Sequence, residues 1–264
     1  MYVVLLSMLI IGAAQAEDGI YILSKTKTLS NGGVSTSEIF LTSSQMLVKS
    51  TGMENSTLIF NSEQEIFTYI DSKRKEYYQF DKPTLMQLKQ QIKMMAQMMK
   101  QFAANMPADQ KAKLDKVLNP SSGASLTYQA TNKTTKIGKW KTNGYEGLEA
   151  GKKVLSLDLA TYDALGMDKE DFKVMEALMV FFQKNLQEVI AILPAGEAYT
   201  QLSLDENSPI IREGLPLKSM TYENGKPTIE NVVESIKKQN FSDGQFDIPT
   251  GYTKQQINMK TIGK

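Results

Sequence analysis

"EIFTYIDSKRKEYYQFDKPTLMQLKQQIKMMAQMMK", residues 65–100, holds the change of period on which the fold turns. Up to Phe80 apolar and polar residues alternate, as in strands with one buried face, and Ser72-Lys73-Arg74-Lys75 interrupts them as a turn. From Asp81 the period becomes helical. Asp81 is placed to cap a helix and Pro83 falls in its first turn. Leu85, Leu88, Ile92, Met95, Met99, Phe102 and Met106 then recur at steps of three and four, with lysines and glutamines on the other side. Pro107 ends this helix, and "PADQKAKLDKVLN" reads as a shorter, more polar one, so a helical insertion is expected over about 83–118.

Upstream, the chain from Gly19 reads as a β-meander: "GIYILSKTKTL", "VSTSEIFLT", "QMLVKST" and "TLIFN", with Ser30-Asn31-Gly32-Gly33 as a hairpin signal. Downstream, strand character returns in "SLTYQATN", "TTKIGKW" and "KKVLSLDLA", with turns expected at Asn143-Gly144 and from Gly147 to Gly151. A second amphipathic helix is predicted over 168–193, with Phe172, Met175, Leu178, Met179 and Phe182 on one face, ended by Pro194-Ala195-Gly196. The last portion is again antiparallel in pattern, with a hairpin at Glu223-Asn224-Gly225, and closes with "FDIPTGYTK". No tract resembles a linker, and strands flank both helical insertions. A single α+β domain over 17–264 is therefore expected, built on nine or more strands, and an antiparallel sheet of that size curls.

The first sixteen residues, "MYVVLLSMLIIGAAQA", carry no charge and end in Ala14-Gln15-Ala16. They read as a secretory signal cleaved before Glu17, although the segment relies on the amino terminus for its positive charge; an uncleaved anchor is the alternative. The mature protein is thus expected in the periplasm or outside the cell. With no cysteine among 264 residues there is neither a disulfide nor a site for lipoprotein acylation. Lysine plus arginine number 30 against 29 acidic residues, so no global field selects nucleic acid or anionic lipid as a partner.

The closing "GLPLKSMTYENGKPT" and Phe246-Asp247-Ile248-Pro249-Thr250-Gly251-Tyr252, together with the order of elements and "WKTNGYEGLEAGKKVLSLDLA", resemble a family of bacterial exported proteins related to the LolA, LolB and LppX type of envelope carriers. The resemblance spans nearly the whole mature chain, on short motifs. It implies an open half-barrel, a curved antiparallel sheet whose concave face is covered by helices. It also implies a hollow between sheet and helices that receives acyl chains of lipids or lipoproteins.

The lack of histidine and cysteine removes the Ser-His-Asp triad, thiol nucleophiles and the usual zinc and haem sites. Ser-x-x-Lys occurs at Ser24/Lys27, Ser72/Lys75 and Ser235/Lys238, all on expected strands or turns. Asp168, Glu170 and Asp171 sit at a helix start, where acids serve the backbone. No Gly-rich phosphate loop is present. The strand aromatics Tyr69, Tyr77, Tyr78 and Phe80 read as half-buried sheet residues. No cofactor and no catalysis are expected.

Six of the fifteen methionines lie between Leu85 and Met106. Three readings stand: filling of irregular core gaps, a deformable lid over a lipid cavity, or thioether ligands for Cu(I) from Met94 and Met98 or Met95 and Met99, four apart. The expected function is non-catalytic binding of a hydrophobic ligand, lined by Met94, Met95, Met98, Met99 and Phe102 from the first helix and Phe172, Met175, Met179 and Phe182 from the second. The alternative from another class is an envelope structural or signalling module that binds a protein partner.

Overall fold

A computed structural model describes residues 17–52, 55–103, 126–185, 208–210, 212–242 and 244–257; within the first helix the side chains of 92, 95, 96 and 99–103 lie outside that description. The expected signal segment 1–16, the polar helix after Pro107 and the end of the second insertion fall among residues not described.

Six strands come first: β1 (Glu17–Thr28), β2 (Val34–Leu41), β3 (Gln45–Thr51), β4 (Ser56–Asn61), β5 (Ile66–Asp71) and β6 (Glu76–Phe80). Helix α1 (Lys82–Ala103) follows, then β7 (Thr127–Ile137), β8 (Trp140–Glu149) and β9 (Lys152–Thr161). A one-turn helix α2 (Tyr162–Leu165), a 3-10 turn (Lys169–Phe172) and helix α3 (Lys173–Asn185) lead to β10 (Gly214–Glu223), β11 (Lys226–Phe241) and β12 (Thr253–Gln255).

The twelve strands of the described residues form one open sheet in the order β12-β6-β5-β4-β3-β2-β1-β11-β10-β9-β8-β7. The first meander lies on one side, the later strands on the other, and β1 joins them through a twelve-pair register with β11. The sheet is mixed rather than wholly antiparallel, because β12 returns along its outer edge and pairs parallel to β6.

The turns follow the sequence chemistry. Asn224 and Gly225 have φ of 51° and 77°, the pair of positive values a tight hairpin requires, and Glu223 faces Lys226 across it. Asp81 caps α1: its carboxylate accepts from the Thr84 N–H at 2.9 Å and its carbonyl from the Leu85 N–H at 2.9 Å. Hydrogen bonding from the Thr84 side chain, and then from its N–H, holds the Asp81 carboxyl below the ordinary aspartate range.

Two expectations are corrected between 125 and 151. The stretches expected as two strands form one, β7, kinked where its register with β8 shifts between Ala130 and Thr134 and where Asn132 takes a φ of 55°. Asn143-Gly144 lies inside β8, the turn expected from Gly147 to Gly151 narrows to Ala150-Gly151 with Gly147 still in the strand, and a further turn stands at Gly138-Lys139. Both strand glycines are buried because neighbours occupy the space a side chain would need: Thr131 against Gly144 and Leu155 against Gly147.

Apolar residues bury on both faces. One core holds Ile20, Ile22, Leu41, Met46 and Phe60 of the sheet with Leu85 and Leu88 of α1 and Val174 and Phe181 of α3. On the opposite face Phe40, Leu47, Ile59, Ile70 and Phe241 pack beneath Phe246, Ile248 and Tyr252 of the closing segment. The chain then crosses the sheet edge, where Thr253 N–H donates to the Lys75 carbonyl at 2.9 Å, and Ile257 ends in the helix-side core. A third cluster gathers Leu126, Leu155, Leu157 and Leu159 near β8 and β9.

Candidate functional site

The alternation in the first six strands places every second side chain on the helix side, and the pairing register aligns them across strands. Two continuous apolar rows result. Ile20, Leu41, Met46, Phe60, Phe67 and Phe80 form one, and Ile22, Ile39, Val48, Leu58, Tyr69 and Tyr78 form the other.

The rows differ in cover. The first is buried from Ile20 to Phe60 and half-buried only at Phe67 and Phe80. Its helix-side contacts include two ring pairs: Phe181 lies 5.4 Å from Phe60 and Phe182 lies 5.2 Å from Phe67. In the second row only Ile22 is buried; Ile39, Val48, Leu58, Tyr69 and Tyr78 all keep part of their surface. These five residues stand on five neighbouring strands and so span about 19 Å at the usual interstrand spacing. Tyr69 and Tyr78 lie 6.2 Å apart at the β6 end, where the Tyr78 hydroxyl donates to Glu76 at 3.3 Å. Burial, then the Glu76 charge, raises the Tyr78 pKa.

Helix α3 meets β4 and β5 through Phe181 and Phe182 and has two kinds of surface. Val174 and Phe181 are buried, while Met175, Met179 and Phe182, at i, i+4 and i+7, form a half-buried flank beside them. Because Phe181 rests on β4 and Phe182 on β5, the flank lies toward β5 and β6, the side from which α1 starts. Helix α1 is held at its beginning by Leu85 and Leu88 and further along by Lys89, whose ammonium donates to the Lys184 carbonyl near the end of α3 at 3.1 Å.

Of the residues expected to line a cavity, Phe172 is fully buried with its ring 5.3 Å from that of Tyr162, which makes it a core residue. Burial there, with the Glu176 charge, pushes the Tyr162 pKa up to about 12. Met175, Met179 and Phe182 come together on the α3 flank. Met94 and Met98 stand on the outer side of α1, 56% and 55% exposed. The side chains of Met95, Met99 and Phe102 lie outside the described residues.

The cross-strand row was not among the sequence candidates. Its signal is the alternation in "VSTSEIFL", "QMLVKST", "TLIFN", "IFTYID" and "EYYQF", but assembling it requires the register between strands. The acids at the second helix start serve the backbone as expected: the Asp171 carboxylate accepts from the Asp168 N–H at 3.0 Å and pairs with Lys238 at 3.1 Å. The Ser-x-x-Lys pairs at Ser24 and Ser235 lie within strands, where an odd spacing sends the two side chains to opposite faces. Among the described residues no group of histidine, cysteine or carboxylate side chains is arranged to hold a metal.

No protein-family model matches the chain, and no curated protein sequence is similar to it.

Proposed function

We propose that this protein is an exported, non-catalytic carrier that binds a hydrophobic ligand, an acyl chain of a lipid or lipoprotein, against the half-buried row Ile39, Val48, Leu58, Tyr69 and Tyr78. In this reading the sheet is curved into an open half-barrel, that row lies on its concave side, and α1 and α3 are the cover, in the manner of the LolA, LolB and LppX type of carriers. The observation that carries it is the row itself: a continuous apolar strip across five strands, on the helix side of the sheet, whose residues are only half-buried.

An acyl chain laid across the strip gains about 0.8 kcal/mol for each CH₂ it buries. Several such groups suffice for binding without a charged contact, even after ordering costs. The flank Met175, Met179 and Phe182 supplies the adaptable wall, since unbranched thioether side chains repack around chains of different length.

Titration with a fluorescent fatty acid tests this. Leu58→Gln should weaken binding by about tenfold or more while leaving the fold intact, because Leu58 is only half-buried. Thr57→Gln, on the neighbouring position that points to the other face, should bind as the parent does. Equal binding by the parent and Leu58→Gln, or none by either, would remove the strip as the site.

A further inference from the structure

Helix α1 carries four lysines, Lys82, Lys89, Lys93 and Lys100, and no carboxylate in its 22 residues. The whole chain is balanced at 30 basic to 29 acidic residues, so this element is a local concentration of positive charge. The nearest acid at its start, Asp81, is already bonded to the helix N-terminus.

The same helix shows solvent three of the five large apolar side chains most exposed among the described residues: Met86 at 56%, Met94 at 56% and Met98 at 55%. At about 100° per residue, the buried Leu85 and Leu88 define the inner side. Met86, Met94 and Met98 then run obliquely along the outer side, with Lys82 and Lys93 on one margin of that stripe. Between the methionines stand Gln87, Gln90 and Gln97, which are exposed and uncharged. Exposed methionine costs solvation in water, and lysine on the margin can keep its ammonium in the aqueous layer while its stem covers apolar surface.

We infer that the outer face of α1 is a docking surface for an anionic lipid bilayer, on which the helix lies in the plane of the head groups with Met86, Met94 and Met98 entered among the acyl chains. The charge is complementary to acidic head groups, and the unbranched, flexible thioether side chains supply the apolar contribution. No described helix is long and apolar enough to cross a membrane, which fits a surface contact. The inference is independent of ligand binding at the strand row.

Flotation of the mature chain, residues 17–264, with vesicles decides it. Binding should be strong to vesicles of phosphatidylcholine containing phosphatidylglycerol and weak to phosphatidylcholine alone. Lys82→Gln/Lys93→Gln should lower the affinity for the anionic vesicles by about fivefold per lysine, and Met94→Gln/Met98→Gln by about tenfold. All four positions are exposed, and circular dichroism of each variant confirms that it is folded. Equal binding to both vesicle types, or anionic binding unaffected by either double variant, overturns the inference. So does failure to bind vesicles together with self-association in sedimentation that Met94→Gln/Met98→Gln abolishes, which would make the face a contact between two copies. Binding to polyglutamate that equals binding to vesicles and does not depend on the methionines would assign the face to an acidic polypeptide and overturn it as well.

Discussion

The ring of Phe181 in α3 lies 5.4 Å from that of Phe60 in β4, inclined by 50°, and both side chains are buried. This contact seats α3 against β4, within the first meander. Phe181→Ala should destabilise the protein by about 3–5 kcal/mol, the range for an aromatic removed from a packed core. Urea unfolding should show a lower midpoint with an unchanged slope.

The start of α1 depends on Asp81. Asp81→Ala should cost about 1 kcal/mol, as the loss of a helix N-cap does. The folded carboxyl titrates below an unfolded aspartate, so its contribution is complete above the unfolded value of about 3.9. It disappears as pH falls through the lower folded value. The stability difference between parent and Asp81→Ala, measured by urea unfolding, should therefore shrink on acidification below pH ~4 and be full at neutral pH.

Tyr145 on β8 donates to the Glu213 carboxylate, which ties the segment before β10 to the far strands. That bond, with burial, pushes the Tyr145 pKa up to about 12. A raised folded pKa means that the stabilisation is present below the unfolded tyrosine value and is lost as pH rises through the folded one. Alkaline ultraviolet titration should show late-ionising tyrosines, and Glu213→Gln should bring one of them back toward pH ~10. Tyr162, raised by burial rather than by that bond, should stay late.

Gly19 in β1 has no room for a side chain: a methyl group there would collide with the Leu41 carbonyl and the Phe241 ring. Gly19→Ala should cost about 1–3 kcal/mol, as overpacking does, and thermal unfolding should reveal it. The loss would arise at the junction of β1 with β2 and β11, where the two halves of the sheet meet.

The local elements were legible wherever one signal sufficed. Alternation gave the first six strands, Asp81 and the change to period 3.6 located α1, and Asn224-Gly225 marked the last hairpin. The readings that failed needed a partner strand to interpret. Gly144 and Gly147 look like turn residues in isolation, yet they are glycine because Thr131 and Leu155 approach them from adjacent strands. The strand β12 is three residues long and exists through its pairing with β6, some 180 positions earlier in the chain, which no local pattern encodes. The same holds for the candidate site. Met175, Met179 and Phe182 were visible as one side of a helix, whereas the row from Ile39 to Tyr78 emerges only when five strands are set in register.

Native mass spectrometry of the protein purified without detergent, followed by organic extraction, tests the carrier reading most directly. It predicts a co-purifying species that extracts into organic solvent, bears an acyl chain, and is lost or sharply reduced in folded Leu58→Gln. A parent protein that flies at its bare mass, yields no lipid on extraction and takes up none when offered fatty acid would contradict it.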